Sequence, residues 1–322
     1  MSPDLQEPLF AWFLVGPTAV GKSAVAQWLA EQMGAAILSA DSMQVYRGMD
    51  RGTAKPAPDT RGSVVYYGLD LVAPDQPYNA GAFRDEALRV IRYLSENRKP
   101  CIVTGGSGLY VKSLTHGLAR GVVIDPAIRA HWQSIFDASG TEGLREALRE
   151  RAPQILDSMP DPGNPRRLMG ALERLDCPEA GSRETGWTPG TVSPLMVGLD
   201  MPSDQLKERI RRRAEQMYRD GLIDECAHLI REYPAFSGTA GGAIGYAEAM
   251  ACLRGELSQA EAIEQTVRRT WQLARRQRTW FRHQARVDWI AVGGDAPVET
   301  IGREVMARWR QQGPTPLWKE GA

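Results

Sequence analysis

Two short segments near the N-terminus carry residues whose types and spacing could do chemistry together. The first, GPTAVGKS at 16–23, fits the pattern G-x-x-x-x-G-K-[ST] at every fixed position. Its glycines let successive backbone N–H groups point at an anion, and the following helix adds the positive end of its dipole. Lys22 supplies a charge for the outer phosphate, and the Ser23 hydroxyl can bind Mg²⁺. An apolar run before the segment and helical spacing after it favour a phosphate-binding loop over a chance turn.

The second segment contains Asp41, which follows a predicted buried strand at 35–40. A nucleotide hydrolase also needs an acid at the end of a strand and a residue that positions water. The next apolar strand, 101–104, ends in GGSG without an acid. Asp41 could therefore take a proton from an incoming nucleophile or bind Mg²⁺, and the residues leave both roles open.

Two more side chains are expected at the same place. In parallel α/β sheets, ligands bind outside the carboxyl ends of the strands, so the loop, Asp41 and Ser107 share one crevice. Ser107 could donate a hydrogen bond to a phosphate oxygen or be only a turn residue. Arg213 lies on the apolar stripe of a predicted helix at 203–219. A buried arginine is costly unless an anion meets it, and here phosphate is favoured over a structural carboxylate.

The segment 268–286, RRTWQLARRQRTWFRHQAR, holds seven arginines and no acid. A run of one sign indicates a polyanion, and nucleic acid is favoured over membrane because arginines surround the predicted helix. Trp271 and Phe281 are expected to belong to the core. The stripe predicted at helical spacing comprises Arg268, Arg275, Arg282 and Arg286.

Strands and helices alternate at both ends of the chain, which predicts an α/β fold: a P-loop NTPase-like parallel sheet flanked by helices. Residues 119–194 instead show helical pieces broken by Pro and Gly, and we predict a helical insertion domain there. Its last part, 177–194, is typical of a mobile loop. The catalytic core would then comprise 1–118 and 195–322. Strands are predicted at 9–15, 35–40, 64–69, 101–104, 195–199 and 287–292, and the helix that carries the arginines at 258–284.

Composition sets the remaining bounds. The 322 residues carry 39 Lys and Arg against 39 Asp and Glu, so net charge predicts no partner. The four cysteines form no CxxC pair, which favours reduced thiols over a disulfide framework or zinc site. The apolar run at 9–15 is too short for a membrane span and lacks the basic flank of a signal peptide. We expect a soluble cytoplasmic monomer with no membrane partner.

Five segments resemble the tRNA dimethylallyltransferases of bacterial type, which prenylate the exocyclic amine of the adenosine after the anticodon, tRNA position 37. The motifs follow the family order over nearly the whole chain, and DSMQVYRGMD together with RRQRTWFR is specific. The segments are GPTAVGKS, SADSMQVYRGMDRGTAKP (39–56), GGSGLYVKSL (105–114), NPRRLMGALE (164–173) and AIGYAEAMACLRGELSQAEAIE…RRQRTWFR (243–282).

The resemblance implies a role for each matching residue. Asp41 would be the base on the adenosine amine, Ser107 and Arg213 would complete the catalytic set, and Ser23 would bind the cofactor Mg²⁺. The residues that would hold the diphosphate of dimethylallyl diphosphate are Gly16, Pro17, Thr18, Ala19, Val20, Gly21, Lys22 and Ser23. Those that would contact the anticodon stem-loop of tRNA are Asp41, Ser42, Met43, Gln44, Ser107, Arg129, Arg166, Arg167, Gly242, Tyr246, Arg275 and Arg276.

Some positions depart from the family pattern. Ser107 replaces the usual threonine and keeps the hydroxyl. YYGLD at 66–70 stands where members often have P-H-H-L-I-D, so any role of those histidines is lost or passes to Tyr66 and Tyr67. Gly170 and Gly242 replace residues that are commonly basic, which removes a charge from each predicted tRNA contact.

Three other functions stay open on the residues. An adenylate isopentenyltransferase would run the same chemistry on a free nucleotide, although a mononucleotide requires neither the helical insertion nor the arginine segment. A P-loop kinase for a small metabolite would turn over ATP. A non-catalytic RNA-binding switch would form no product and would tolerate Asp41→Asn.

Overall fold

The computed structural model describes residues 8–117, 124–159, 161–177 and 195–318. The chain divides into two compact units, one made of Met1–Gly117 with Gly190–Ala322 and the other of Leu118–Pro189. Apart from its first residue, the loop predicted at 177–194 lies outside the described residues.

The first unit is built on a sheet whose order is β3-β2-β4-β1-β5-β6, with all of these neighbours parallel. A short last strand, β7, pairs antiparallel with β1. The predicted parallel α/β sheet is confirmed. Because β4 lies between β1 and β2, the carboxyl ends of these three strands are adjacent. The strands are β1 (Phe10–Val15), β2 (Ala36–Ser39), β3 (Tyr66–Tyr67), β4 (Cys101–Gly105), β5 (Leu195–Asp200), β6 (Arg286–Ala291) and β7 (Thr315–Pro316).

Some of the helices flank this sheet, and the helices between residues 118 and 189 form the second unit. None of the described helices is both long and apolar enough to cross a membrane. The helices are α1 (Lys22–Met33), α2 (Ala80–Glu96), α3 (Gly108–Thr115), α4 (Pro126–Arg151), α5 (Pro153–Asp157), α6 (Pro165–Leu175), α7 (Ser203–Arg219), α8 (Leu222–Glu232), α9 (Tyr246–Leu253), α10 (Gln259–Gln284) and α11 (Val298–Gln312).

Most predicted elements are present, with three differences of substance. The strand predicted at 64–69 is reduced to the two residues of β3, and α3 was not predicted. Arg286 does not extend the predicted arginine stripe, because α10 ends at Gln284 and Arg286 begins β6. That part of the stripe is therefore wrong.

The core of the first unit fixes the position of the sheet relative to its helices. Leu14 of β1 and Ile37 of β2 pack with Leu29 of α1 and Ile210 of α7, and all four are fully or almost fully buried. Burying such a side chain stabilises the fold by roughly 1.5–3 kcal/mol. These contacts hold the first turn of α1 and the inner face of α7 at the same edge of the sheet.

The second unit has its own small core. Trp132, Leu144 and Leu148 of α4 pack against Leu168 and other apolar residues of α6. Gly140 breaks α4 with a φ of 61°, in line with the helical pieces broken by Pro and Gly that were predicted for this region. The predicted contact of this unit with tRNA stays a prediction.

Candidate active site

The loop at 16–23 requires its glycines for steric reasons. Gly16 has a φ of 141°, and a Cβ built there would lie 2.3 Å from the carbonyl oxygen of Leu199. Gly21 has a φ of 104°, and its Cβ would lie 3.4 Å from a guanidinium nitrogen of Arg209. Side chains are strained at such φ values, so the chain can make this curved loop only with glycine at both ends.

Lys22, at the start of α1, lies deep in this loop. Its Nζ donates a hydrogen bond to the carbonyl oxygen of Pro17 at 2.7 Å. Burial lowers its pKa to about 7; the charge of Asp41 opposes this and that of Arg213 adds to it. An anion bound in the loop would favour the charged ammonium, so the lysine is matched to an anionic ligand.

Arg213 extends from α7 to the same loop. Its Nη2 donates to the hydroxyl of Thr18 at 2.8 Å, a neutral partner. Burial lowers the pKa of Arg213, against the charge of Asp41 and with that of Arg209. A half-buried guanidinium held by a hydroxyl is poorly compensated, and a diphosphate would supply the missing negative charge.

Asp41 and Ser107 follow adjacent strands, β2 and β4, and backbone hydrogen bonds orient both. Asp41 Oδ1 accepts from the N–H of Met43 at 2.8 Å. Ser107 Oγ accepts from the N–H of Ser42 at 3.1 Å. Because this hydroxyl is already an acceptor, its proton is available to donate to a ligand.

The residues after Asp41 that were predicted to contact tRNA are used largely within the fold. The amide of Gln44 is used within the fold: its Oε1 accepts from Ser39 Oγ at 2.8 Å, and its Nε2 donates to the carbonyl oxygens of Thr53 and Ala54. Met43 packs against a second hydrophobic cluster, and its backbone is what contacts Asp41.

A cavity of about 590 Å³ joins these parts. Ser42, Met43 and Ser107 are not among its lining residues, although Ser107 lies one residue beyond Gly106, which is. The polar side chains that line it include Thr18, Lys22, Ser23, Asp41, Gln44, Arg209, Arg213 and Gln277.

Gln277 was missed by the sequence analysis, which assigned its segment to RNA. From α10 its Oε1 accepts from the N–H of Thr18 at 2.7 Å, across 259 positions of sequence. The helix is fixed beside the site because Arg278 bonds Asp200 Oδ1 at 2.7 Å and Ser203 Oγ at 2.9 Å. The one available signal was a glutamine inside the specific RRQRTWFR motif.

The GGSG turn after β4 explains how α10 approaches so closely. A Cβ at Gly106 would lie 2.3 Å from Gln277 Nε2, and one at Gly108 would lie 2.2 Å from the indole of Trp280. Gly105 is equally tight, with a Cβ position 2.2 Å from the carbonyl oxygen of Ala40. The turn is glycine-rich because a helix and a strand end pack directly on its backbone.

Gln277→Ala is expected to raise the KM for the substrate whose phosphates bind in the loop about five-fold, since one hydrogen bond that orients the loop is worth about 1 kcal/mol. Gly106→Ala should have a similar effect, because the added methyl displaces the same side chain. Steady-state kinetics of both variants and of the double variant test this, with Gln272→Ala, an exposed glutamine of α10, as control. Fully additive effects of the two changes would contradict the shared mechanism.

The donor set of the cavity fits Mg²⁺ only together with a ligand. Among the residues the structure describes, no group of three His, Cys, Asp or Glu side chains could hold a metal ion. Ser23 and Asp41 nevertheless line the same cavity. Mg²⁺ commonly binds through one or two protein oxygens plus substrate phosphates and water. The residues present therefore suit a metal that enters with a diphosphate.

The arginines of α10 fall into two groups. Arg269 forms an ion pair with Glu248, while Arg278 and Arg282 pair with Asp200, so three of them hold the fold together. The acid-free run is thus neutralised in part by distant residues. Three others are exposed and bear no ion pair in the described part of the chain: Arg268, Arg275 and Arg276.

Three other residues predicted to contact tRNA lie in the second unit. Arg129 pairs with Glu173, its Nε 2.9 Å from Oε1, and remains largely exposed. Arg166 and Arg167 are exposed in the first turn of α6. All three present guanidinium groups at the surface of that unit.

Tyr246 requires a correction, because it is fully buried. Its hydroxyl bonds Glu225 Oε1 at 2.5 Å, and its ring occupies the space where a Cβ of Gly52 would lie, 2.4 Å away. The side chain cannot reach RNA from there and instead packs the 39–56 motif onto α8 and α9. Gly242 is exposed, and its carbonyl oxygen accepts from Arg269 at 2.9 Å.

Comparison with known proteins decides the family. A family model described as IPP transferase matches residues 44–284, more than half of the chain, and one described as isopentenyl transferase matches residues 10–66. The chain belongs to the IPP transferase family. The two matched ranges together include the phosphate loop, Asp41, the GGSG turn and α10.

Several IPP transferase relatives match along almost their whole length. A tRNA dimethylallyltransferase from Synechococcus sp. CC9311 is 39% identical over 293 residues, covering 89% of this chain and 91% of the relative. The tRNA dimethylallyltransferase 2 of Syntrophus aciditrophicus is 37% identical over 302 residues, covering 92% and 96%. The crystal structure of the tRNA isopentenylpyrophosphate transferase from Bacillus halodurans superposes with a TM-score of 0.67 at 31% identity, covering 94% and 97%.

Proposed function

We propose that this IPP transferase moves a dimethylallyl group from dimethylallyl diphosphate to the N6 amine of the tRNA adenosine 3′ to the anticodon. The family and the names of its relatives support prenyl transfer to tRNA. The observation that carries the chemistry is the cavity of about 590 Å³, in which a phosphate loop and the Asp41 carboxylate share one wall.

The reaction balances with these groups. The allylic C–O bond breaks and its electron pair leaves with the diphosphate, while the N6 nitrogen forms the new bond to that carbon. An adenine amine is a poor nucleophile, so its proton must pass to a base, and Asp41 takes it. Lys22 and Arg213 stabilise the charge that develops on the diphosphate. The adenine reaches the cavity only after it is turned out of its stack.

Mg²⁺, when bound through Ser23 and the phosphates, would add positive charge at the leaving group. The Ser107 hydroxyl has a proton to donate. Ser107 lies in the GGSG turn, and its Oγ contacts the backbone N–H of Ser42, the residue after Asp41. We assign it to the orientation of a substrate oxygen or ring nitrogen near Asp41.

Features of the site and the relatives favour this function over its rivals. Gln277 joins the arginine helix to the phosphate loop, which a kinase for a small metabolite does not require. The relatives named above are called tRNA dimethylallyltransferases and not adenylate enzymes. A binding switch without catalysis leaves the orientation of Asp41 beside the loop unexplained.

One assay tests the proposal. The protein is mixed with Mg²⁺, dimethylallyl diphosphate and either unmodified tRNA or AMP, and the nucleosides are then weighed. One prenyl unit gained on tRNA adenosine supports the proposal, and a gain on AMP alone supports the adenylate enzyme. Cleavage of ATP without either product would support a kinase.

We also propose that Arg275 and Arg276 of α10 bind the tRNA backbone. Replacing both by alanine should raise the KM for tRNA at least about ten-fold. The plot of the logarithm of the tRNA association constant against the logarithm of salt concentration should become less steep, its slope falling in magnitude by roughly one to two. The KM for dimethylallyl diphosphate should not change. Arg303→Ala on α11, which is also exposed, is the control. An unchanged salt slope would show that RNA does not contact this pair.

A further inference from the structure

One part of the cavity, here called the apolar wing, is lined mainly by apolar residues. Around the loop the lining of the cavity includes the charged side chains of Lys22, Arg209 and Arg213, as the phosphate site requires. Away from the loop, however, the described lining includes Ala24 of α1, Ile37 of β2, Ala54, Pro56 and the ring of Tyr66 of β3. This wing follows the sheet from the loop toward the edge strand. It offers apolar surface where a small hydrocarbon group can leave water.

Tyr66 lies at the far end of this wing. It pairs with Ile37 across the β2–β3 ladder, so the two side chains share one face of the sheet. Its hydroxyl donates to Gln27 Oε1 of α1 at 2.7 Å, which ties the ring to the helix that begins in the phosphate loop. The ring therefore spans the gap between the sheet edge and α1.

Further contacts, made by Arg61 and Gln27, fix the position of the Tyr66 ring. The guanidinium of Arg61 lies 5.6 Å from the centre of the Tyr66 ring. Arg61 in turn donates to the carbonyl oxygen of Pro56 from Nε at 3.0 Å and from Nη2 at 2.8 Å. Gln27 Nε2 donates to the carbonyl oxygen of Arg61 at 2.9 Å. A ring fixed on both sides cannot move aside cheaply to admit a longer ligand.

We propose that Tyr66 is the end wall of the prenyl pocket and restricts the donor to a five-carbon chain. This inference rests on the proposed function. Because the diphosphate lies in the loop and the reacting carbon must lie near Asp41, the tail extends into the apolar wing. A second isoprene unit would meet the Tyr66 ring.

The experiment measures donor choice. Wild type, Tyr66→Ala, Tyr66→Val and Tyr66→Phe receive tRNA with dimethylallyl or geranyl diphosphate, and kcat/KM is determined for each donor. We expect the geranyl-to-dimethylallyl ratio to rise at least about a hundred-fold in the alanine and valine variants, since even one methylene in an apolar pocket changes kcat/KM by roughly 10- to 200-fold. The phenylalanine variant keeps the ring, and its ratio should stay within about three-fold of wild type.

Tyr67→Val is the matched control, because Tyr67 neighbours Tyr66 on the same strand but does not line the cavity. A Tyr66→Val ratio equal to that of Tyr67→Val would overturn the inference. Binding of the two diphosphates to each variant, measured by calorimetry without tRNA, separates the two claims. If no variant prenylates tRNA, the proposed function fails, while a shifted binding ratio would still support the wall and an unshifted one would overturn it.

Discussion

Asp41→Asn is expected to lower kcat for prenyl transfer about a thousand-fold, in the range typical for loss of a general base. The amide keeps the shape of the side chain and can still accept from the N–H of Met43, as the carboxylate does at 2.8 Å. It cannot take the proton from the adenine amine. Affinity for dimethylallyl diphosphate, measured by calorimetry, should change no more than a few-fold.

The matched control is Asp59→Asn, which removes a carboxylate from an exposed short helix of the same region. Its kinetics should equal those of wild type. If Asp41→Asn instead weakened diphosphate binding at least about a hundred-fold and left kcat at saturation intact, Asp41 would be a ligand of the metal or phosphate site and not the base.

Arg213→Met should separate activity from stability. Loss of a cation that meets the departing diphosphate is expected to lower kcat/KM by roughly 10²–10³. In the free protein this guanidinium is half-buried and held by a neutral hydroxyl, so an apolar side chain of similar length should leave Tm unchanged or raise it. Kinetics and thermal unfolding of the same sample check both effects.

Arg219→Met, at the exposed end of α7, serves as the control for removing an arginine from this helix. Neither its kcat/KM nor its Tm should change much. A large fall in Tm for Arg213→Met would show that the arginine is a structural residue, and its role toward the diphosphate would then need other support.

The sequence was sufficient to predict the parts of the site that follow from strand ends. The loop at 16–23, Asp41 and Ser107 each follow a buried parallel strand, and such strands end at one edge of the sheet. The adjacency of β1, β4 and β2 in the structure brings them together. These features depend on local sequence pattern and on a general rule of sheet topology, and both can be applied to the amino-acid sequence alone.

Other features depend on side chains that meet from distant parts of the chain. Gln277 accepts a hydrogen bond from Thr18, 259 positions away in sequence, and Arg269 forms an ion pair with Glu248 of another helix. A count of arginines cannot show which of them are neutralised by the fold. Tyr246 was predicted to contact tRNA, yet it is fully buried, and its ring fills the space beside Gly52.

Both products of one reaction can be counted. The diphosphate held at 16–23 is expected to leave intact as the adenine amine loses its proton and gains the prenyl group. With tRNA and dimethylallyl diphosphate, one pyrophosphate should therefore be released for each prenylated adenosine, and release without tRNA should be negligible. Release of orthophosphate in place of pyrophosphate, or release of pyrophosphate at the same rate without tRNA, would contradict the account.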